Sequence, residues 1–199
     1  MIDPELLAKA GATLKKYDKG EVLFHEGSHA IFYYQVASGE IKMNNYNDEG
    51  KEFIQGIFAK DKSFGEPPLF SDFKYPANAE AITASEVWLL PKEKFLKLLE
   101  EHPTIHHKFT STLASRLYYK AIMVSEISTQ EPEHRILRIL DYFKKQEAQG
   151  NTAPKSYKVT LTRQQLADLT GLRVETVIRG IKKLEQKGEL LIKNRKVYR

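Results

Sequence analysis

The sequence predicts an α+β protein: an N-terminal double-sheet antiparallel β-barrel of the jelly-roll kind, a long dimerisation helix, and a C-terminal winged helix-turn-helix. Three observations predict it. Short β-favouring runs punctuated by glycines fill residues 20–90, with no helical run between them. Apolar residues then recur at threes and fours along one stretch from Thr104 to Ser128. Finally, Thr162 to Leu184 reads as two short helices meeting at a tight turn. The expected boundaries are residues 1–103, 104–129 and 130–199.

In chain order, Asp3 to Ala10 reads as a short helix with Pro4 in its first turn. Strands are expected at Glu21–Phe24, Ile31–Val36, Glu40–Met43, Phe53–Ile54, Gly56–Phe58 and Glu86–Leu90. A shape of this kind encloses an interior pocket. A helix begins near Phe95 and Pro103 interrupts it. Along the next helix Phe109, Leu113, Leu117, Ala121, Val124 and Ile127 trace a line close to a coiled-coil seam, longer than one small barrel can cover, which predicts a homodimer. Thr129–Glu133 reads as a hinge, Ile136 to Phe143 as an amphipathic helix, and Gln149–Pro154 as a polar loop. Val159 and Leu161 suggest a short strand. Leu190–Ile192 and Lys196–Tyr198 can pair around Lys193-Asn-Arg195 as a small wing.

Thr162 with Gln165 three residues on is a capping box, so the first helix of the pair starts there. Gly171 supplies a left-handed residue for the reversal. In the second helix Val174, Val177, Ile181 and Leu184 must face inward, leaving Arg173, Glu175, Thr176, Arg179 and Lys182 outward. That outward set has the chemistry of DNA reading: a guanidinium donates twice to a guanine edge, and a carboxylate accepts from a cytosine amino group. Arg173 and Lys182 suit phosphates. The competing reading of Glu175 and Arg179 is an ordinary ion pair four residues apart on a solvated helix.

The 199 residues allow two modest domains, and 41% hydrophobic with 29% charged residues is an ordinary soluble composition. The net charge of +5 is uneven: Lys155 to Arg199 holds 12 Lys and Arg against 4 Asp and Glu, leaving −3 for the rest. The basic end is the one carrying the helix-turn-helix, which favours double-stranded DNA as partner. Zero cysteines exclude disulfides, thiolate-bound zinc and iron–sulfur clusters. No apolar run approaches the roughly 18 residues of a membrane helix, and no signal-like start follows Met1. A cytoplasmic location without membrane contact is expected.

On Asn47-Asp-Glu-Gly-Lys-Glu52, on Phe64-Gly-Glu66 with Leu69-Phe70, and on Thr162-Arg-Gln-Gln165 with Val174-Glu-Thr176 and Arg179, the chain resembles the CRP/FNR transcription regulators. The resemblance implies a cyclic-nucleotide-binding-type barrel, a long dimer helix and a winged helix-turn-helix. It implies that Glu175 and Arg179 read a half-site while Arg163, Gln164 and Lys182 touch phosphates. Arg173 stands where a small capping residue is common in the family, and Gly180 inside the second helix is unusual and should cost about 1 kcal/mol against alanine. For the effector the resemblance points to Gly65 and Glu66, to Tyr75-Pro76 where cyclic-AMP-binding members carry an Arg-Ser pair, and to Lys120 and Ala121 where those members carry hydroxyls. A cyclic phosphate taken into a barrel without its guanidinium loses the bonds that offset desolvation, so tight cyclic AMP binding is not expected. Glu66 either holds a ligand or caps a strand-end loop. The loops Asn47–Glu52 and Gln149–Lys158 resemble surfaces that activating members offer to RNA polymerase.

Two rivals compete. A jelly-roll enzyme with an accessory domain needs clustered histidines and a carboxylate on facing strands, whereas the strand region offers only His25 and His29, around a turn. Of the remaining metal or haem candidates, His102, His106 and His107, the last two point to different sides of a helix, and no metal site is expected. The other rival is a ligand-binding or interaction module whose helix-turn-helix serves packing alone.

Overall fold

The computed structural model describes residues 2–128, 131–147 and 155–199, leaving out the side chains at 123, 125–128, 146 and 147. The chain forms two compact units, Met1–Leu113 and Ala114–Arg199, divided within one long helix.

In the first unit Asp3 caps α1 (Pro4–Lys9), its carboxylate accepting from the amides of Glu5 and Leu6. Eight strands follow: β1 (Thr13–Tyr17), β2 (Val22–Phe24), β3 (Phe32–Ser38), β4 (Glu40–Tyr46), β5 (Glu52–Ala59), β6 (Ser63–Phe64), then after the short α2 (Pro67–Phe70), β7 (Asn78–Ala81) and β8 (Ser85–Pro91). They make two antiparallel four-stranded sheets, ordered β1-β8-β3-β6 and β2-β7-β4-β5. The two runs expected at Phe53–Ile54 and Gly56–Phe58 are one strand. Gln55 is the extra residue of a bulge, since Met43 pairs with Gly56 while Asn44 pairs with Ile54.

Phe24, Tyr34, Phe58, Phe64 and Tyr75 form a contiguous ring cluster, with Tyr75 stacked on Phe24 at 3.7 Å between centroids. On its other side, β3 carries Tyr33, stacked at 4.4 Å on Phe95 of α3 (Lys92–Glu101). Phe109, near the start of α4 (Pro103–Ser128), packs edge-on against Phe95 and Tyr33 and is buried. Phe109 therefore belongs to the chain's own core and not to the dimer seam expected of it: helix α4 still lies over the β unit at that point. Leu113 packs half-buried against the same core.

The second unit holds the rest of α4, α5 (Pro132–Glu147), α6 (Arg163–Thr170), α7 (Val174–Gln186), and the hairpin β9 (Leu191–Lys193) with β10 (Lys196–Tyr198). Tyr119 of α4 stacks on Tyr142 of α5 at 3.8 Å. The expected strand at Val159 and Leu161 reduces to a single bridge, Lys158 opposite Tyr198. The hinge residues 129–130 and the loop 149–154 lie outside the described residues.

Candidate nucleic-acid interface

Helix α6 starts as the sequence requires. Thr162 Oγ1 accepts from the amide of Gln165, and Gln165 Oε1 accepts from the amide of Thr162. It ends at Gly171, whose φ of 69° is the left-handed region that a side chain would strain. Leu166, Ala167 and Leu169 are buried beneath α7 and α5. The turn hands over to α7 at Arg173, whose side chain makes no cap bond, so that the end of α7 lacks the oxygen acceptor an Asp, Ser or Thr would supply. Val177, Ile181 and Leu184 are buried and Val174 is half-buried.

The glycine inside α7 has a steric reason. A Cβ on Gly180 would lie 2.7 Å from Ile136 Cδ1, so a side chain there would require Ile136 to shift. One turn on, Lys183 Nζ bonds Glu133 Oε1 at 3.0 Å. That hydrogen bond holds the Glu133 carboxyl below its ordinary range.

The outward face is of another kind. Arg173, Glu175, Arg179 and Lys182 are exposed and Thr176 is half-buried. Among the described residues none of the four charged groups takes part in an ion pair, and Glu175 does not bond Arg179 despite the i,i+4 spacing. The reading as an intrahelical ion pair therefore has no contact behind it. On α6, Gln164 Nε2 donates to the buried Asp168 at 2.8 Å, which fixes the amide. Arg163 is half-buried, and burial pushes its guanidinium down.

The effector candidates divide between the units. Gly65, at φ 69°, is held by the ring cluster: a Cβ would lie 2.9 Å from Phe24 Cζ and 3.2 Å from Tyr75 Cε1. Glu66 is buried, accepts from Ser63 Oγ, and makes no cap bond to α2. Tyr75 is buried, its hydroxyl has no hydrogen-bond partner among the described residues, and burial raises its pKa above that of an ordinary phenol. Pro76 is exposed, its carbonyl accepting from Asn45 Nδ2. Lys120 and Ala121 are exposed on the second unit's part of α4. Of the seam residues, Leu117 and Val124 are exposed by 70% and 68%, and Ile127 lies outside the described side chains. His25, His29, His106 and His107 are exposed and His102 is half-buried; among the described residues no group of three His, Asp or Glu could hold a metal ion.

Sequence reasoning missed three members of this unit. Lys183 paired to Glu133 is one. Arg199 is another, reaching Asp141 at 2.6 Å and Glu189 at 2.8 Å, where only the fold brings the partners together. The third is Ile136 beneath Gly180, for which the odd glycine was the available signal.

An antiparallel two-sheet domain joined through a long helix to a capped helix-turn-helix with a wing defines a ligand-type barrel coupled to a DNA-binding unit. Residues 14–102 match the cyclic nucleotide-binding domain family, and residues 134–198 match the Crp-like helix-turn-helix domain. The chain is 31% identical over 173 residues to the cAMP-activated global transcriptional regulator CRP of Haemophilus influenzae, covering 86% of this chain and 77% of that one. It is 25% identical over 181 residues to the fumarate and nitrate reduction regulatory protein of Escherichia coli, covering 91% and 72%. The c-di-GMP-responsive global regulator CLP of Xanthomonas campestris shares the fold with a TM-score of 0.74 at 24% identity, over 98% of this chain and 96% of that one. A CooA mutant from Carboxydothermus hydrogenoformans does so with a TM-score of 0.76 at 16% identity, over 100% and 86%. The chain belongs to the CRP/FNR family of transcription regulators and carries that family's helix-turn-helix DNA-binding domain. No described helix is long and apolar enough to cross a membrane.

Proposed function

We propose that two copies of this chain pair along α4 through Leu117, Ala121 and Val124, and place two α7 helices in successive major grooves about 34 Å apart on a two-fold-symmetric site. In this reading Glu175 and Arg179 contact base edges, Thr176 lines the groove, and Arg163, Gln164, Arg173 and Lys182 hold phosphates. The observation that carries it is the set of exposed charges on α7 that find no partner among the described residues, on a helix packed against α5 at Gly180 and preceded by the capped α6. Selection from random duplex DNA at physiological salt, without added ligand, tests it. Enrichment of a two-fold-symmetric sequence is the expected result; sequence-independent retention alone would contradict it.

The same reading places the protein in the cytoplasm, with the exposed loop at residues 47–51 available to RNA polymerase, and gives it no catalytic residue. The effector of the barrel is a small molecule other than cyclic AMP, since Tyr75 occupies the expected phosphate site and lies stacked on Phe24. Titration calorimetry with cyclic AMP should give no binding at micromolar concentration. A micromolar or tighter isotherm would refute the assignment.

A further inference from the structure

Helix α7 carries five apolar side chains, Val174, Val177, Ile178, Ile181 and Leu184. Packing within the chain accounts for four of them, since Val177, Ile181 and Leu184 are buried and Val174 is half-buried. Ile178 is 41% exposed. The helix itself does not call for isoleucine there: a branched Cβ loses rotamer freedom in a helix, and Lys, Glu or Gln suits a wet helical position better.

Its place on the helix distinguishes it from a scattered surface hydrophobe. Ile178 lies three residues after Glu175 and four before Lys182, so the three share one stripe of α7, and Val174 stands one turn before it. Hydrocarbon is thus set beside charged groups that have no ion pair among the described residues. A surface that reads base edges in the major groove meets one apolar feature there, the 5-methyl of thymine. Against a cytosine amino group or a purine nitrogen, isoleucine displaces water and returns no hydrogen bond; against a methyl, both surfaces leave water together. The same side chain therefore favours thymine and penalises the alternatives.

We propose that Ile178 packs on the 5-methyl group of a thymine in each half-site, next to the base edges met by Glu175 and Arg179, and so selects thymine at that position. The proposal rests on the DNA reading of α7 given above and adds a base identity to it.

Deoxyuridine tests it, because it differs from thymidine in that methyl alone. On the duplex enriched by selection, each thymine of the half-site is replaced in turn, and wild type and Ile178→Ala are titrated by anisotropy. One replacement should weaken wild type about four-fold per half-site, the worth of one buried methyl. Ile178→Ala should bind the thymine duplex more weakly by at least that factor, and should bind thymine and deoxyuridine alike at that position. Its thermal melt should be unchanged or raised, since alanine is the better helix former. A wild type indifferent to every replacement, or an Ile178→Ala that keeps the full preference for the methyl, would overturn the proposal. So would a lowered melt with unchanged affinity, which makes Ile178 a packing residue. Arg179→Ala on the same duplex separates the two levels. If it weakens binding and Ile178→Ala does not, the methyl contact alone fails; if neither changes binding, the reading of α7 fails with it.

Discussion

Charge is handled in opposite ways on the β unit and on α7. Lys42, on β4, lies between Glu52 at 2.7 Å and Glu80 at 3.3 Å with its side chain only 14% exposed. Burial pulls its ammonium down, but the hydrogen bonds and charges of both carboxylates outweigh that and hold it above its ordinary value. On α7, Lys183 is likewise paired, with Glu133, whereas Arg173, Arg179 and Lys182 have no carboxylate partner among the described residues. Carboxylates are not lacking, since Glu175 is one turn from Arg179. One helix thus pairs the cation that abuts its neighbour and leaves the outward ones open, which is the pattern of a surface whose counter-charge comes from another molecule.

This contrast can be sharpened by substitution. Lys42→Ala leaves two carboxylates facing each other across β4 and should cost about 3 kcal/mol, the low end for removing one member of a buried pair; denaturant unfolding reads it. Gly180→Ala gains about 1 kcal/mol of helix propensity but forces a methyl onto Ile136, where overpacking costs about 1–3 kcal/mol. Adding Ile136→Val removes the clashing Cδ1, and the double variant should be more stable than the sum of the two single changes by about 1 kcal/mol. Arg173→Ser supplies the missing cap and should stabilise α7 by about 1 kcal/mol in thermal melts, while DNA binding weakens through loss of a phosphate contact. The smallest effect is expected at Glu133. Its folded pKa is depressed by Lys183, so the pair stabilises above the unfolded carboxyl value of about 4.3 and loses that contribution as pH falls through the folded value. Lys183→Ala should cost under about 1 kcal/mol at neutral pH, and the difference from wild type should vanish in acid.

The helix-turn-helix was legible because its signals are local: a cap and a glycine at fixed offsets, with apolar residues at helical spacing. Strand β7 was not, since Asn78-Ala-Glu-Ala81 has poor strand propensity and its alanines are buried in a core drawn from distant segments. Strand β1 escaped too, because four of its five residues are exposed and show no alternation. Phe109 follows the periodicity of a seam yet sits in the chain's own core, because spacing gives a helix face and not the identity of what covers it. The ring cluster was hidden for the same reason: Phe24, Tyr34, Phe58, Phe64 and Tyr75 come from five separate segments. The seven residues proposed to contact DNA rest on local spacing alone, whereas Lys183 with Glu133 and Arg199 with Asp141 needed the fold.

The most direct test of the α7 assignment measures stability and DNA affinity of Arg179→Ala side by side, on the duplex enriched by selection. The account predicts an unchanged melt, because Arg179 is exposed and has no partner among the described residues, with affinity lower by about 1–3 kcal/mol and relaxed discrimination at one base position. A loss of stability with unchanged affinity would contradict it, and would make the outward face of α7 a packing surface.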